Sequence, residues 1–376
     1  MTAPPRSAYG APPQGGAPGG PAKPDPRLPL AAAPTPLQRS EGVWRTAWRR
    51  FKGDRVAMTS LVVVLAFIAL IIAAATGAVA SQWQRELAVP NAPPTFLGPR
   101  AGENTGTLAG PEATAQPPVD LSDIDPLAPR YAEWAERAAK LQTAETTKVD
   151  TLPLGADRLG RDVLDKAIKG TEISVFVGIL AALLATVIGT VLGALAGFFG
   201  GKVGDFLEWL YNVFTAVPDI LLIFAFAAVL GRGVDTVVLI LALTGWTGLY
   251  RQVRAEFMKH RGREYVRAAE AIGASSASRM FRHILPNVSH VILVRMSLLV
   301  VGFIKSEVIL SYLGLGVPVD QVSWGTMLAE AQGELILGHW WQLATATAFM
   351  AVFVTAFSLM ADGWRDALDP KLRGAE

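Results

Sequence analysis

ISVFVGILAALLATVIGTVLGALAGFFGG, residues 173–201, contains no Asp, Glu, Lys or Arg. A helix crosses the bilayer core with about 20 predominantly apolar residues, and this stretch exceeds that without a charge. Two further runs, Val56–Gln84 and Leu335–Ala361, also exceed that length and are equally free of charge. With 51% hydrophobic and only 18% charged residues, the apolar content is gathered into blocks, which excludes an ordinary soluble domain. Even six spans would occupy only about 120–150 residues, so more than half of the 376 residues must lie outside the bilayer.

Weaker spans fill the second half of the chain. Phe206–Gly231 carries Glu208 and the pair Pro218–Asp219, which predicts a kink. A short span, Val234–Tyr250, follows, then the basic stretch Arg251–His283, and a fifth span from about Val288 interrupted by Arg295, Lys305 and Glu307. Ser311–Trp324 is Gly-rich and aromatic and reads as an interfacial or re-entrant loop. The expectation is an all-α integral membrane protein of six transmembrane helices with both termini inside.

The remaining segments divide by composition. Residues 1–42, rich in Pro, Gly and Ala, have no apolar face with which to offset ordering entropy, and are expected to be a disordered cytoplasmic tail. Residues 43–80 combine a basic amphipathic helix (Trp44, Trp48 and Phe51 among arginines), suited to a headgroup surface, with the first span. That span is too long and starts too late for a cleaved signal. Residues 81–171 form a long polar extracytoplasmic loop with a helix predicted over Tyr131–Lys148. Residues 172–364 form a five-helix core containing the loop 251–286, and 365–376 a cytoplasmic tail. The segments before the first span and over 251–283 carry net charges of +6 and +5, against −3 for 81–171. Basic segments stay cytoplasmic, which orients the chain.

Chemistry of its own is not expected on this chain. Cys 0 removes thiol nucleophiles, disulfides and cysteine metal sites. There is no phosphate-cradling GxxxxGK[ST] and no HExxH, and the four histidines are scattered. A net charge of +2 gives no global field for nucleic acid. No catalytic, cofactor-binding or metal-binding residue is assigned. Among charges at membrane depth, Asp219 and Glu307 are candidates for a translocation path. Asp219 is also placed to cap a helix restart. Glu307 stands roughly 200° from Lys305 and 120° from Arg295 around a helix, a poor geometry for pairing with either.

The most informative segment is EYVRAAEAIGASSASRMFRHILPN, Glu264–Asn287. It reads as a helix with Tyr265, Ala268, Ala269 and Ile272 on one face, a bend at Gly273 followed by the small residues Ala274, Ser275 and Ser276, and a second helix, Ala277–Ile284, ending before Pro286. Such a knob lets another protein's backbone approach closely. It resembles the EAA loop of bacterial ABC importer permeases, with matches at Ala268, Ala269, Gly273, Leu285 and Pro286. Arg267 stands where that motif has its glutamate, and Glu264 and Glu270 are the nearest acids.

Three further stretches, Leu154–Gly178, Ser306–Ala331 and Asp362–Arg373, resemble segments of the dipeptide, oligopeptide and nickel branch of these permeases, and Trp44–Ala80 resembles the extra N-terminal helix of that branch. The resemblance implies a bacterial inner-membrane, multi-pass permease subunit of an importer. It would work with a second homologous permease, two cytoplasmic ATPases that bind the ATP, and an extracytoplasmic solute-binding protein. The loop residues Ala268, Ala269, Glu270, Gly273, Ala274, Leu285 and Pro286 would then be the ATPase-coupling surface. The solute is a dipeptide or oligopeptide on this reading, with nickel or another small solute as the alternative. A stand-alone secondary transporter using the intramembrane charges is the competing class.

Overall fold

A computed structural model describes residues 43–99, 127, 130–140, 148–318 and 320–368. All belong to one of two units of the chain, Val43–Glu376. The expected disordered tail, 1–42, and most of the C-terminal tail lie outside the described residues.

The chain enters through α1 (Val43–Gly53), and Asp54 then caps α2 (Arg55–Ala75) by accepting the N–H groups of Val56 and Ala57 at 2.8 and 3.3 Å. The apolar side of α1 is divided, with Ala47 and Phe51 packed on protein and Trp48 left 39% exposed. Ala47 and Phe51 are buried with Ala57, Ala367 and Leu368, and the Phe51 ring stacks on Trp364 at 4.8 Å. The helix of the first apolar run stops at Ala75, well short of Gln84.

Residues 81–99 and 148–162 then fold on each other. Isolated bridges join Glu86 to Arg161, Ala88 to Val149 and Pro94 to Leu152, around buried Ala88, Val89, Ala92 and Ala156. Gly160 (φ +81°) lies so close to this strip that a β-carbon would stand 2.1 Å from the Ala88 carbonyl. The predicted helix over Tyr131–Lys148 is observed as α3 (Tyr131–Lys140), with Glu133 and Arg137 paired at 2.6 Å. Residues 141–147 lie outside the described ones; Lys148 is not helical, and it stands next to the Val149–Ala88 bridge with its ammonium 2.9 Å from Glu86.

The helix that decides the fold is α4 (Val163–Phe199), capped by Asp162 and continuous for 37 residues, about 55 Å at 1.5 Å per residue. Gly200 (φ +63°) ends it and starts α5 (Gly201–Thr215). Pro218, which cannot donate to the helix ladder, breaks the next segment. There α5 and α6 (Asp219–Leu230) bend by 85°. Pro218, not Asp219, is the cap residue, and Asp219 is the exposed first residue of α6. The predicted short span is α7 (Val234–Gly245) followed by the first turn of α8 (Thr247–Arg261), linked by the Tyr250 N–H donating to the Trp246 carbonyl at 3.0 Å.

After α9 (Glu264–Ala271) and the short α10 (Ser276–Ser278), the chain does not stop before Pro286 as the sequence predicted. It continues through a π-helical turn, Arg279–Ile284, into α11 (Leu285–Tyr312). The Leu285 N–H bonds five residues back to Met280. This wider turn relieves the clash a proline ring makes with the preceding turn of a regular α-helix. The sixth apolar run is likewise divided. Its first residues end α12 (Trp324–Ile336), Gly338 (φ +87°) makes a turn, and α13 (Trp341–Leu368) begins afterwards. Four of the described helical segments are long and apolar enough to cross a membrane: Arg55–Ala75, Val163–Phe199, Ser276–Tyr312 and Trp341–Leu368. The bent α5–α6 pair counts as a fifth if taken as one span, and α7 is apolar but short.

The central core lies on the middle of α4, where Ala181, Ala182 and Ala185 meet Val237, Ile240 and Leu241 of α7 and Val300 and Ile304 of α11. Separate clusters sit at its two ends. One contains Val163 and Ala167, and the other Ala194 and Phe198.

Candidate functional site

At its C-terminal end α4 carries glycine at every fourth position: 189, 193 and 197. Residues four apart lie on one helix face, and this face meets α8. β-Carbons at these positions would stand 2.8, 2.7 and 2.5 Å from the carbonyl oxygens of Trp246, Tyr250 and Arg254. Glycine alone permits such an approach, the small-xxx-small packing of close membrane helices. Beyond this seam, Leu249, Val253 and Phe257 of α8, Val266 of α9, and Met280 and Ile284 of the π-helical turn close one buried cluster on Ala194 and Phe198. The basic loop is therefore fixed to α4 rather than hung from it.

Of the row Tyr265, Ala268, Ala269 and Ile272 only Ala269 is buried, together with Val266. Ile272 is instead 85% exposed at the tip, beside Gly273 at φ +88°. The reason is the turn. Ile272 is the last residue before a left-handed glycine, so it leaves the helical row. Ser275 then accepts the Ser278 N–H at 3.2 Å and restarts the helix. Glu270 pairs with Arg279 across the turn. Of the predicted coupling residues, Ala268, Glu270, Gly273 and Pro286 are exposed, Ala274 and Leu285 are half-buried, and Ala269 is buried as a support. Arg267 is exposed. Sequence reasoning missed Ile272 as the apolar tip and missed the glycine seam, although the spacing of four was visible.

The opposite end of α4 holds a buried ionic cluster. Asp157 Oδ1 accepts the N–H groups of Leu159 and Arg161, both at 2.9 Å, and Oδ2 accepts from Lys166 Nζ at 2.7 Å and Arg161 Nε at 2.6 Å. Lys166, 1% exposed, also donates to Glu330 of α12 and to Gln342 of α13. Burial pushes the Asp157 carboxyl up, but Lys166 and Arg161 outweigh it and hold it below the ordinary carboxylate range. Nearby Glu334, 3% exposed, accepts the Arg158 N–H at 2.9 Å through Oε1, while its Oε2 has no hydrogen-bond partner. Burial first, and then the charges of Asp157 and Glu330, push its pKa up to about 7. Trp341 closes the cluster, donating its ring N–H to the Ala156 carbonyl. The stretches 154–178 and 306–331, which read as two separate motifs, are thus one site, joined to the start of α13.

Glu307 lies in α11 between these ends and is 0% exposed. Its carboxylate accepts the hydroxyls of Ser174 and Ser311, both at 2.7 Å. Those serines in turn accept the N–H groups of Trp324 and Val317. Neither Arg295 nor Lys305 forms an ion pair with it among the described residues. No group of His, Asp or Glu able to hold a metal occurs among the described residues.

The arrangement is a long helix gripping a protruding loop at one end and a locked polar cluster at the other. A family model described as "Binding-protein-dependent transport system inner membrane component" matches residues 189–374, and one described as "N-terminal TM domain of oligopeptide transport permease C" matches 42–94. The oligopeptide transport system permease protein OppC of Bacillus subtilis (strain 168) is 36% identical over 246 residues, which cover 65% of this chain and 80% of that protein. The chain belongs to this family of ABC importer permease subunits. The dipeptide transport system permease protein DppC of the same organism is 37% identical over 58% of this chain and 68% of its own length. The DppC of Lactococcus lactis subsp. cremoris (strain MG1363) is 27% identical over 87% of this chain and 90% of its own. A solved structure, "Inward facing conformations of the MetNI methionine ABC transporter", matches with a TM-score of 0.45 and 15% identity, covering 54% of this chain and 96% of that one. As a member of this family the permease is a multi-pass protein of the bacterial inner membrane.

Proposed function

We propose that this permease forms half of the membrane channel of an ATP-driven peptide importer, and that the loop around Gly273 receives the stroke of a partner ATPase. The observation that carries the reading is the exposed apolar tip, Ile272 at 85% exposure, on a loop seated against α4 through glycine. A protruding isoleucine next to a left-handed glycine suits insertion into a groove. Its rigid seat suits transmission of force to a helix that reaches the far side.

The full topology on this reading has six spans: α2, α4, the broken α5–α6, α7 with the start of α8, α11 and α13. Both termini and the basic loop face the cytoplasm; the excess of Lys and Arg before the first span and over 251–283 supports this, and the C-terminus follows from the even number of spans. ATP binds to two partner ATPases, a second homologous permease completes the channel, and a solute-binding protein delivers solute from outside. The ionic cluster of Asp157, Lys166 and Glu330 lies at the outer end of α4, where α12 and α13 converge, and serves as the outer closure. Asp219, exposed at the α5–α6 break, lines the path, and Glu307 sets the wall behind it by ordering the serines that hold the start of α12. The segment 81–171 contacts the binding protein. Because residues 87–95 hydrogen-bond to 149–160, a shortening of its tip is to be confined to about 100–126.

The names of the relatives support dipeptides or oligopeptides as the solute, and nickel is the alternative. Uptake of a labelled dipeptide, a labelled pentapeptide and nickel by a strain lacking this gene, with and without the gene restored, tests the reading. Restoration of peptide uptake alone is expected. Uptake by the purified chain without any ATPase would overturn it in favour of a secondary transporter.

A further inference from the structure

A cavity of about 320 Å³ opens between α8, α11 and the end of α13, at the end of the bundle that carries the basic loop. Its walls are of two kinds. Arg295, Arg365, His290 and Gln252 supply donors, while Val294 and Leu298, with their neighbours, supply an apolar side. His290, Val294, Arg295 and Leu298 fall on one face of α11 by helical spacing. Arg295 reaches across to α8 where Gly248 leaves room, for a β-carbon there would stand 2.6 Å from the guanidinium.

Neither Arg295 nor Arg365 has an acidic partner among the described residues, and the buried Nε of Arg295 has no hydrogen-bond partner. Arg295 is half-buried and Arg365 is exposed at the end of α13; a partly buried guanidinium left unpaired is costly and is ordinarily matched by a counter-charge. Here the protein supplies two guanidinium groups and no anion. We propose that this cavity binds the phosphodiester of an acidic phospholipid, with Arg295 and Arg365 on the phosphate and an acyl chain along Val294 and Leu298. Guanidinium forks match phosphate oxygens, and basic pockets between membrane helices accept such headgroups. The apolar wall argues against a free inorganic anion, which would leave half the cavity unmatched. The site is separate from the coupling tip and from the ionic cluster around Lys166, and it does not depend on which solute is carried.

Native mass spectrometry of the full chain in detergent tests this, with dioleoyl phosphatidylglycerol and dioleoyl phosphatidylcholine as probes of equal chain length. Phosphatidylglycerol is expected to be retained at least ten times more than phosphatidylcholine, and R295Q/R365Q to bring the two to the same level. L298W, which keeps both charges and fills the apolar side, is expected to do the same and decides the matter if the double variant does not fold. Millimolar inorganic phosphate or a free dipeptide should leave the lipid in place. Equal retention of the two lipids by the unaltered chain would overturn the proposal. So would undiminished phosphatidylglycerol in R295Q/R365Q or L298W, or displacement by phosphate or by the peptide.

Discussion

Gly193 of α4 lies so close to Tyr250 of α8 that a β-carbon on the glycine would stand 2.7 Å from the tyrosine's carbonyl oxygen. The two helices are joined backbone to backbone, with Gly189 and Gly197 repeating the contact one turn to either side. The seam ties the segment that carries the loop to the longest helix of the protein.

Gly193→Leu should therefore separate the helices and uncouple them. Forcing bulk into a filled contact costs about 1–3 kcal/mol, so a lowered melting temperature in detergent is expected, together with an uptake loss of at least ten-fold. Gly302→Ala is the control, because nothing lies within 4 Å of a β-carbon there. Equal uptake by the two variants would show that the seam transmits nothing.

The seam also shows how far the sequence carries. Apolar runs 173–201 and 56–84 announced α4 and α2, because a charge-free stretch of that length has few other uses. Pro218 announced the break, and Gly273 with Ser275 announced the bend of the loop. What failed were boundaries set by tertiary packing. Pro286 reads as a stop, yet a π-helical turn absorbs it, and the run from Leu335 reads as one helix although Gly338 divides it. The partners of Lys166 come from positions 157, 330 and 342, and no local spacing predicts that meeting. Ile272 shows the opposite case: helical periodicity sets it in one row with Ala268 and Ala269, and the left-handed Gly273 after it turns it outward.

Ile272→Glu tests the tip directly. At 85% exposure the side chain contributes little to folding, and surface substitutions ordinarily stay within about 0.5 kcal/mol. Melting should be unchanged, while the ATPase recovered with the permease falls at least ten-fold and uptake is lost. Gly273→Val is expected to do the same with a lower melting temperature, because φ +88° strains a β-branched residue. An I272E permease that retained its ATPase and its uptake would remove the loop's proposed role.

The ionic cluster predicts non-additive stability. Lys166→Met leaves the Asp157 carboxylate buried with Arg161 as its remaining ion-pair partner. Breaking a buried pair from one side costs about 3–5 kcal/mol. Asp157→Asn strands the ammonium of Lys166 in turn, with Glu330 left to pair with it. The double variant should recover a large part of either loss, giving a coupling of at least about 1 kcal/mol in a double-mutant cycle. Strict additivity in detergent unfolding would mean the two residues are not a pair in the folded protein.

Glu334 gives the cluster a pH dependence of definite sign. Its carboxyl is pushed up to about 7, above the ordinary carboxylate range, so the fold favours the protonated form. That stabilisation is complete below the unfolded value near 4.5 and is lost as pH rises towards about 7. Asp157 works the other way: held below its ordinary range, it loses stabilisation only under more acidic conditions. Between pH 5 and 8 Glu334 therefore contributes a fall in stability as pH rises. Glu334→Gln keeps an oxygen for the Arg158 N–H and removes the charge. The variant should lose less melting temperature over this window than the unaltered permease and, at pH 8, melt above it by about 2–4 °C for each kcal/mol recovered. If the two proteins showed the same slope between pH 5 and 8, the buried carboxyl would not be the group that titrates.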